Sequence, residues 1–258
     1  MLFSLDNKNA VVIGGAGGVG RTIAQGLIEN GANVILADLN DEILEKAAAD
    51  LEEKTGKKPA YYAANACSED SVKELLSSIL KDFDRVDILI NSQGFNKKHA
   101  AQDFDMQDFR NMLEVNVVSL MITSKVFGGH MIEKGGGKIL NVSSVRGQIA
   151  TRLPGNCGYC SSKGAVNMMT RQLASEYGQY GITVNAIAPT LMETPMMTDI
   201  IEQRGGDEYR KSVADTHPLK KMMVPNDCVG TVVYLCSPAA DYVTGAIVYV
   251  DGGLTAVG

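Results

Sequence analysis

A basic excess is missing from this 258-residue chain: 24 lysines and arginines face 30 aspartates and glutamates, for a formal net charge of -6. A broad phosphate-binding surface needs the opposite balance, which argues against general affinity for nucleic acid or an anionic membrane. Also missing is any unbroken run of about 18 apolar residues of the kind that spans a bilayer. The stretch Met1–Asn9 sets Asp6, Asn7 and Lys8 directly before a short apolar run and lacks the long apolar segment of a secretory leader. Cysteines are few and odd in number. Cys67, Cys157, Cys160, Cys228 and Cys236 are scattered, a pattern of reduced thiols rather than a disulfide framework. These features point to a cytoplasmic protein. No linker or shift in composition divides the chain, so residues 1–258 are expected to form one domain.

What is present is an alternation of short apolar runs with helical periodicity. Asn9–Ile13, Asn33–Ala37, Pro59–Tyr62 (weakly), Val86–Ile90, Lys138–Val142, Ile182–Ile187 and Ala246–Val250 read as strands. Between them, Val19, Ile23 and Leu27 mark one helix, which Asn30-Gly31 closes. Ile43 to Leu51 and Val72 to Leu80 mark two more. Further helices are expected near Met106–Val126, Tyr159–Tyr177 and Asp227–Cys236. The order implies right-handed βαβ crossovers and an α/β, doubly wound parallel sheet flanked by helices. Thr190 to Lys221 reads as one long irregular stretch with Gly205-Gly206 and Pro218 inside it, and is expected to be a flap over a substrate.

Gly14-Gly15-Ala16-Gly17-Gly18-Val19-Gly20 lies between the first strand and the first helix. Glycines there let the backbone approach a pyrophosphate, whose charge the helix N-terminus stabilises. Asp38 ends the next strand, where a carboxylate accepts hydrogen bonds from ribose hydroxyls and repels a 2′-phosphate. NAD is therefore favoured over NADP. Tyr159 and Lys163 are four apart on a predicted helix, so they face the same way; of nine tyrosines only Tyr159 has a lysine at this spacing. Such a pair decides little by itself.

In combination the motifs carry more. The glycine pattern, Asn91-Ser92-Gln93-Gly94, Asn116, Ser143-Ser144, Tyr159-Cys160-Ser161-Ser162-Lys163 and Pro189-Thr190-Leu191-Met192-Glu193-Thr194 stand in order and spacing similar to the short-chain dehydrogenase/reductase family. The resemblance runs from the first strand to Val250-Asp251-Gly252-Gly253. It implies a Rossmann-type oxidoreductase for secondary alcohols and ketones. In it Tyr159 would be the general acid/base, Lys163 would lower its pKa and bind ribose, Ser144 would orient the substrate, and Asn116 would hold a water in a proton relay. Cofactor contacts are implied for Gly14, Gly17, Gly18, Val19, Asp38, Leu39, Asn65, Ala66, Asn91, Gly94, Pro189, Met192 and Thr194, beside Tyr159 and Lys163. The adjacent Ser143 could in principle be the catalytic serine; register and strand alternation favour Ser144. A homotetramer is implied as well. The segments Arg171–Pro189 and Asp241–Gly245 look like members acting on gluconate-type sugar acids and polyols.

The sequence departs from the family pattern at Ile13, where threonine is usual, at Ser92-Gln93, where Asn-Ala is usual, and at Asn65, where aspartate often contacts the adenine. Asn65 could accept the same hydrogen bond through its amide oxygen. Lys97-Lys98-His99, Arg146 and Arg152 are either an anion-recognition surface at the substrate entrance or a solvated basic face. Cys157 and Cys160 lack the second pair or nearby histidine that a metal site needs, and His99, His130 and His217 are dispersed, so no metal is expected. A 3-oxoacyl thioester reductase is the alternative activity, against which Asp38 counts because reductive biosynthesis draws on NADPH. A non-catalytic NAD-binding sensor or scaffold would not need the set Asn116, Ser144, Tyr159 and Lys163.

Overall fold

The structure, a computed structural model, describes residues 2–151 and 154–257. Its strands are β1 (Asn9–Ile13), β2 (Asn33–Asp38), β3 (Ala60–Ala63), β4 (Ile88–Asn91), β5 (Gly137–Val142), β6 (Ile182–Pro189) and β7 (Ile247–Val250). They form one sheet in the order β3-β2-β1-β4-β5-β6-β7, with every pairing parallel. The helices are α1 (Gly18–Glu29), α2 (Asp41–Thr55), α3 (Glu69–Asp82), α4 (Met106–Leu113), α5 (Ser119–Glu133), α6 (Cys157–Tyr177), α7 (Pro195–Gln203), α8 (Asp207–Asp215) and α9 (Val229–Cys236).

Each central strand buries both faces. Ala10 and Val12 of β1 join a core with Leu27, Leu44, Leu51 and Val232 from α1, α2 and α9. Val11 and Ile13 face the other way, into Val72, Leu75, Phe127, Met131 and Leu173 from α3, α5 and α6. Two-sided burial is why these strands read as continuous apolar runs rather than alternating ones. Edge strand β3 is only half-buried, which accounts for its weak signal. Chain direction across the sheet reverses between β1 and β4, and the crevice at their carboxyl ends is where such folds take ligands.

Two expectations need correction. Residues 190–221 are not irregular: they carry α7 and α8, separated by Gly205 and Gly206 at φ 109 and 55. The helices are short, and α8 (DEYRKSVAD) has no buried residue, so little apolar periodicity reached the sequence. The helix expected at Met106–Val126 continues to Glu133, with a π-helical turn at Glu114–Val118 between α4 and α5. By length and composition alone Met106–Glu133 could cross a membrane, with mean hydropathy 1.2 over 18 residues. Half of that window is buried inside the protein, as in a core helix.

Candidate active site

At the end of β1, Gly14 (φ 73) donates its N–H to Ala37 O at 2.8 Å, and Gly17 leads into α1. The first turn of α1 has neither a capping side chain nor an acidic residue, so its free N–H groups and positive dipole end are left for an anion. Gly20, which was not among the expected cofactor contacts, is the close-packing glycine. A Cβ there would overlap Gly14 O and lie 2.6 Å from Ser92 Oγ.

A cavity of about 260 Å³ opens beside this turn and is lined by Gly14, Gly17, Asp38, Leu39, Asn65, Ala66 and Gly94, together with Cys67, Ser92, Gln93, Phe95 and others. Gly18 and Val19 flank it in the first turn of α1. Asp38 is fixed at the cavity rim: Oδ2 accepts Ala16 N–H at 3.2 Å and Oδ1 accepts Leu39 N–H at 2.8 Å. Each oxygen keeps lone-pair capacity for a hydroxyl. No lysine or arginine lines the cavity among the described residues, and nearby Arg21 and Lys54 turn to Asp50 at 3.5 and 2.9 Å. Open helix N–H groups, glycines at the close approaches and a poised carboxylate fit a dinucleotide. A larger cavity of about 340 Å³ lies at the opposite end of the strands, with Lys8, Arg85 and Lys138 at its wall already paired to Asp87 and Asp241.

The junction between β1 and β4 is rebuilt. Ser92 Oγ donates to Ile13 O at 2.7 Å, so a hydroxyl on the β4 side makes the tie that a threonine at position 13 would make. Gln93 Nε2 donates to Ser119 Oγ at 3.0 Å. Two expected cofactor contacts change meaning. Asn91 is buried and spends its amide on Asn141, Ser124 and Thr123, so its side chain fastens β4 to β5 and α5. The amide oxygen of Asn65 already accepts Cys67 N–H at 3.0 Å, which leaves it one lone pair.

Deeper in, α6 carries Tyr159 and Lys163 one turn apart, with Lys163 Nζ 5.7 Å from the centre of the Tyr159 ring. Ser144 follows β5, accepts Arg146 N–H at 3.2 Å and donates to Pro189 O at 3.4 Å. Ser143 points elsewhere: its Oγ donates to Asn167 Oδ1 at 2.5 Å. Burial pushes the Tyr159 phenol above its ordinary value, while the nearby Ser144 hydroxyl and, more weakly, the Arg146 charge pull it down. Lys163 is buried and held down to about 8 by desolvation. One of its three N–H donors goes to Val142 O at 2.8 Å.

Asn116 sits in the π-helical turn. Its Oδ1 accepts Phe95 N–H at 2.9 Å, and its Nδ2 donates to Phe95 O and Ser162 Oγ, both at 3.0 Å. The side chain thus clamps the loop after β4 and retains a single lone pair for a water. A Cβ on Gly94 would come within 3.1 Å of Asn116 Oδ1 and 3.6 Å of Lys163 Nζ, so Gly94 joins the cavity to these residues.

Beyond the sheet, Pro189 ends β6, Met192 bridges to Met223, and Thr194 leads into α7 without a side-chain capping bond. Arg210 ties Glu193 (2.7 Å) to Glu202 (2.8 Å). Thr190 Oγ1 meets buried His217 Nε2 at 3.0 Å; His217 Nδ1 faces Val213 O at 2.8 Å, which assigns its proton to Nδ1. At the entrance Lys97 and His99 both pair with Asp108 Oδ2 at 2.7 Å. Arg152 lies outside the described residues. Cys157 and Cys160 are free thiols in the first turn of α6, on either side of Tyr159. Among the described residues no three metal-ligating side chains come together.

A family model described as enoyl-(acyl carrier protein) reductase matches residues 14–255. Gluconate 5-dehydrogenase of Gluconobacter oxydans is 32% identical over 98% of this chain and 97% of its own. Galactitol 2-dehydrogenase (L-tagatose-forming) of Cereibacter sphaeroides is 34% identical, again over 98% and 97%. The crystal structure of a gluconate 5-dehydrogenase from Burkholderia cenocepacia in complex with NADP and tartrate matches with a TM-score of 0.91 and 27% identity, over 100% of this chain and 98% of that one. The chain belongs to the short-chain dehydrogenase/reductase family, whose members named here are oxidoreductases acting on CH–OH groups.

Proposed function

We propose that this protein is an NAD-dependent dehydrogenase/reductase interconverting a secondary alcohol and a ketone on a sugar acid or polyol. The observation that carries this reading is the convergence of Ser144, Tyr159 and Lys163 next to a glycine-turned cavity with Asp38 at its rim. Bound nicotinamide would supply the hydride acceptor or donor. Tyr159 would take the carbinol proton in oxidation and return it in reduction. Ser144 Oγ is held by Arg146 N–H, and its own proton, resting on Pro189 O, can turn to the substrate oxygen. Lys163 keeps two donors for ribose hydroxyls once Val142 O has taken one. Asn116 would steady the Phe95 loop and offer its last lone pair to a relay water. The preference for NAD over NADP rests on Asp38 and on the absence of a cation from the described cavity wall.

Met106, Val118, Met121 and Met168 expose apolar side chains on α4, the π-helical turn, α5 and α6, which favours association of copies of this chain through those helices, the tetramer of the family included. Five free thiols suit a reducing compartment such as the cytosol. The test is NADH absorbance across sugar acids, polyols, hydroxy acids and 3-oxoacyl thioesters with both cofactors. Turnover of sugar acids or polyols with NAD supports the reading. Turnover of thioesters alone, or strict use of NADP, contradicts it.

A further inference from the structure

The substrate entrance holds several cations, and the structure separates them by what they already bind. Lys97 and His99 converge on one carboxylate oxygen of Asp108, at 2.7 Å each. That contact lowers the Asp108 carboxyl and raises the Lys97 ammonium, so the Lys97 and His99 side chains are both already engaged. Arg146 differs. It lies two residues after Ser144 in the 3-10 turn Val145–Gly147, and its own N–H holds Ser144 Oγ at 3.2 Å. Its guanidinium is half-buried and gives one Nη1 hydrogen to Ala150 O at 2.8 Å. No carboxylate pairs with it among the described residues. Four of its five N–H donors are left by that count, in the fork geometry that matches a carboxylate.

Its charge also reaches the chemistry, because the Tyr159 phenol feels it as a downward pull. A guanidinium beside the active site with no carboxylate partner among the described residues is open to an anion. We propose that Arg146 is the substrate-carboxylate anchor, so that the preferred substrate is a hydroxy or keto acid rather than a neutral polyol. The inference rests on the oxidoreductase reading above. A bidentate carboxylate–guanidinium pair at Arg146 would fix one end of a polyhydroxylated acid, leaving a carbinol further along its chain to meet Ser144 and Tyr159. No covalent step is involved; the gain is orientation and affinity. Asp108 contributes by engaging Lys97 and His99.

The test compares D-gluconate with D-glucitol, which share a six-carbon chain and differ in carboxylate against hydroxymethyl. Arg146→Met should lower kcat/KM for gluconate by roughly 10- to 100-fold, the loss expected for charge-assisted hydrogen bonds. Any loss of kcat from the altered pull on Tyr159 should be shared by both substrates, whereas the extra loss for gluconate should fall on its KM. Arg146→Lys should restore part of the loss, because a point charge replaces the fork. Calorimetric binding of gluconate to the NADH-loaded protein supplies a second readout and should weaken in parallel. Equal losses for both substrates, or an unchanged gluconate constant, would overturn the proposal. Wild-type turnover confined to glucitol overturns it too, yet leaves the oxidoreductase reading standing. Turnover of neither substrate, nor of any other carbinol or ketone, brings down both.

Discussion

Replacing Lys163 by methionine should change how stability responds to alkali, in a direction the structure dictates. Buried Lys163 releases its proton near 8, against an ordinary value of 10.5. Between those values the unfolded chain binds more protons than the folded one, so the wild type gains stability as pH rises. Below the folded value both states are protonated, and the cost of burying the charge is fully present. At about 1.4 kcal/mol per pH unit the separation amounts to about 3 kcal/mol. At neutral pH, Lys163→Met removes that cost and also removes a charge-assisted bond to Val142 O of about 1.5–3 kcal/mol, so the two changes nearly cancel. The signature is therefore a slope, not an offset. Relative to the variant, the wild type should gain about 3 kcal/mol from about pH 7 to about pH 10.5. In a domain of this size that is roughly 6–12 °C in Tm. Urea titrations followed by circular dichroism at fixed protein concentration measure it, and other alkaline groups cancel in the difference. Parallel curves for the two proteins would refute a desolvated Lys163. The variant should also lose turnover while remaining folded.

Two further substitutions address the cofactor half. Gly20→Ala puts a Cβ into Gly14 O and 2.6 Å from Ser92 Oγ, so it should cost about 1–3 kcal/mol of stability and weaken NADH binding in a fluorescence titration; unchanged values of both would show that the loop is not closely packed. Asp38→Ala should lower the NAD/NADP ratio of kcat/KM by roughly 10-fold or more, the worth of charged hydrogen bonds to ribose, whereas an unchanged ratio would remove Asp38 as the selector.

The layers of the fold were legible because two-sided burial writes apolar runs such as Val11–Ile13 and Ile88–Ile90 directly into the chain. Ser143 and Ser144 both lie beyond the end of β5, and Ser143 points at Asn167. Other features leave no local mark. The π-helical turn around Asn116 depends on the clamp to Phe95, 21 residues away. Asn91 belongs to the motif yet serves a buried network whose partners come from β5 and α5. Ser92 restores across space the hydroxyl absent at Ile13. Whether Lys97 and His99 were already paired hinged on Asp108, which sits 9 residues beyond His99. Helices α7 and α8 hid behind the polar sequence of α8 and the Gly205-Gly206 break. Tertiary partners, rather than sequence spacing, decide each of these.

Tyr159→Phe tests the central claim most directly, because it removes one hydroxyl beside Ser144 and leaves the lining of the cofactor cavity untouched. The account predicts that turnover of the best substrate falls by roughly 100-fold or more, in line with loss of general acid/base catalysis, while NADH binds with nearly unchanged affinity. Normal turnover in the folded variant, or loss of NADH binding equal to the loss of turnover, would contradict it.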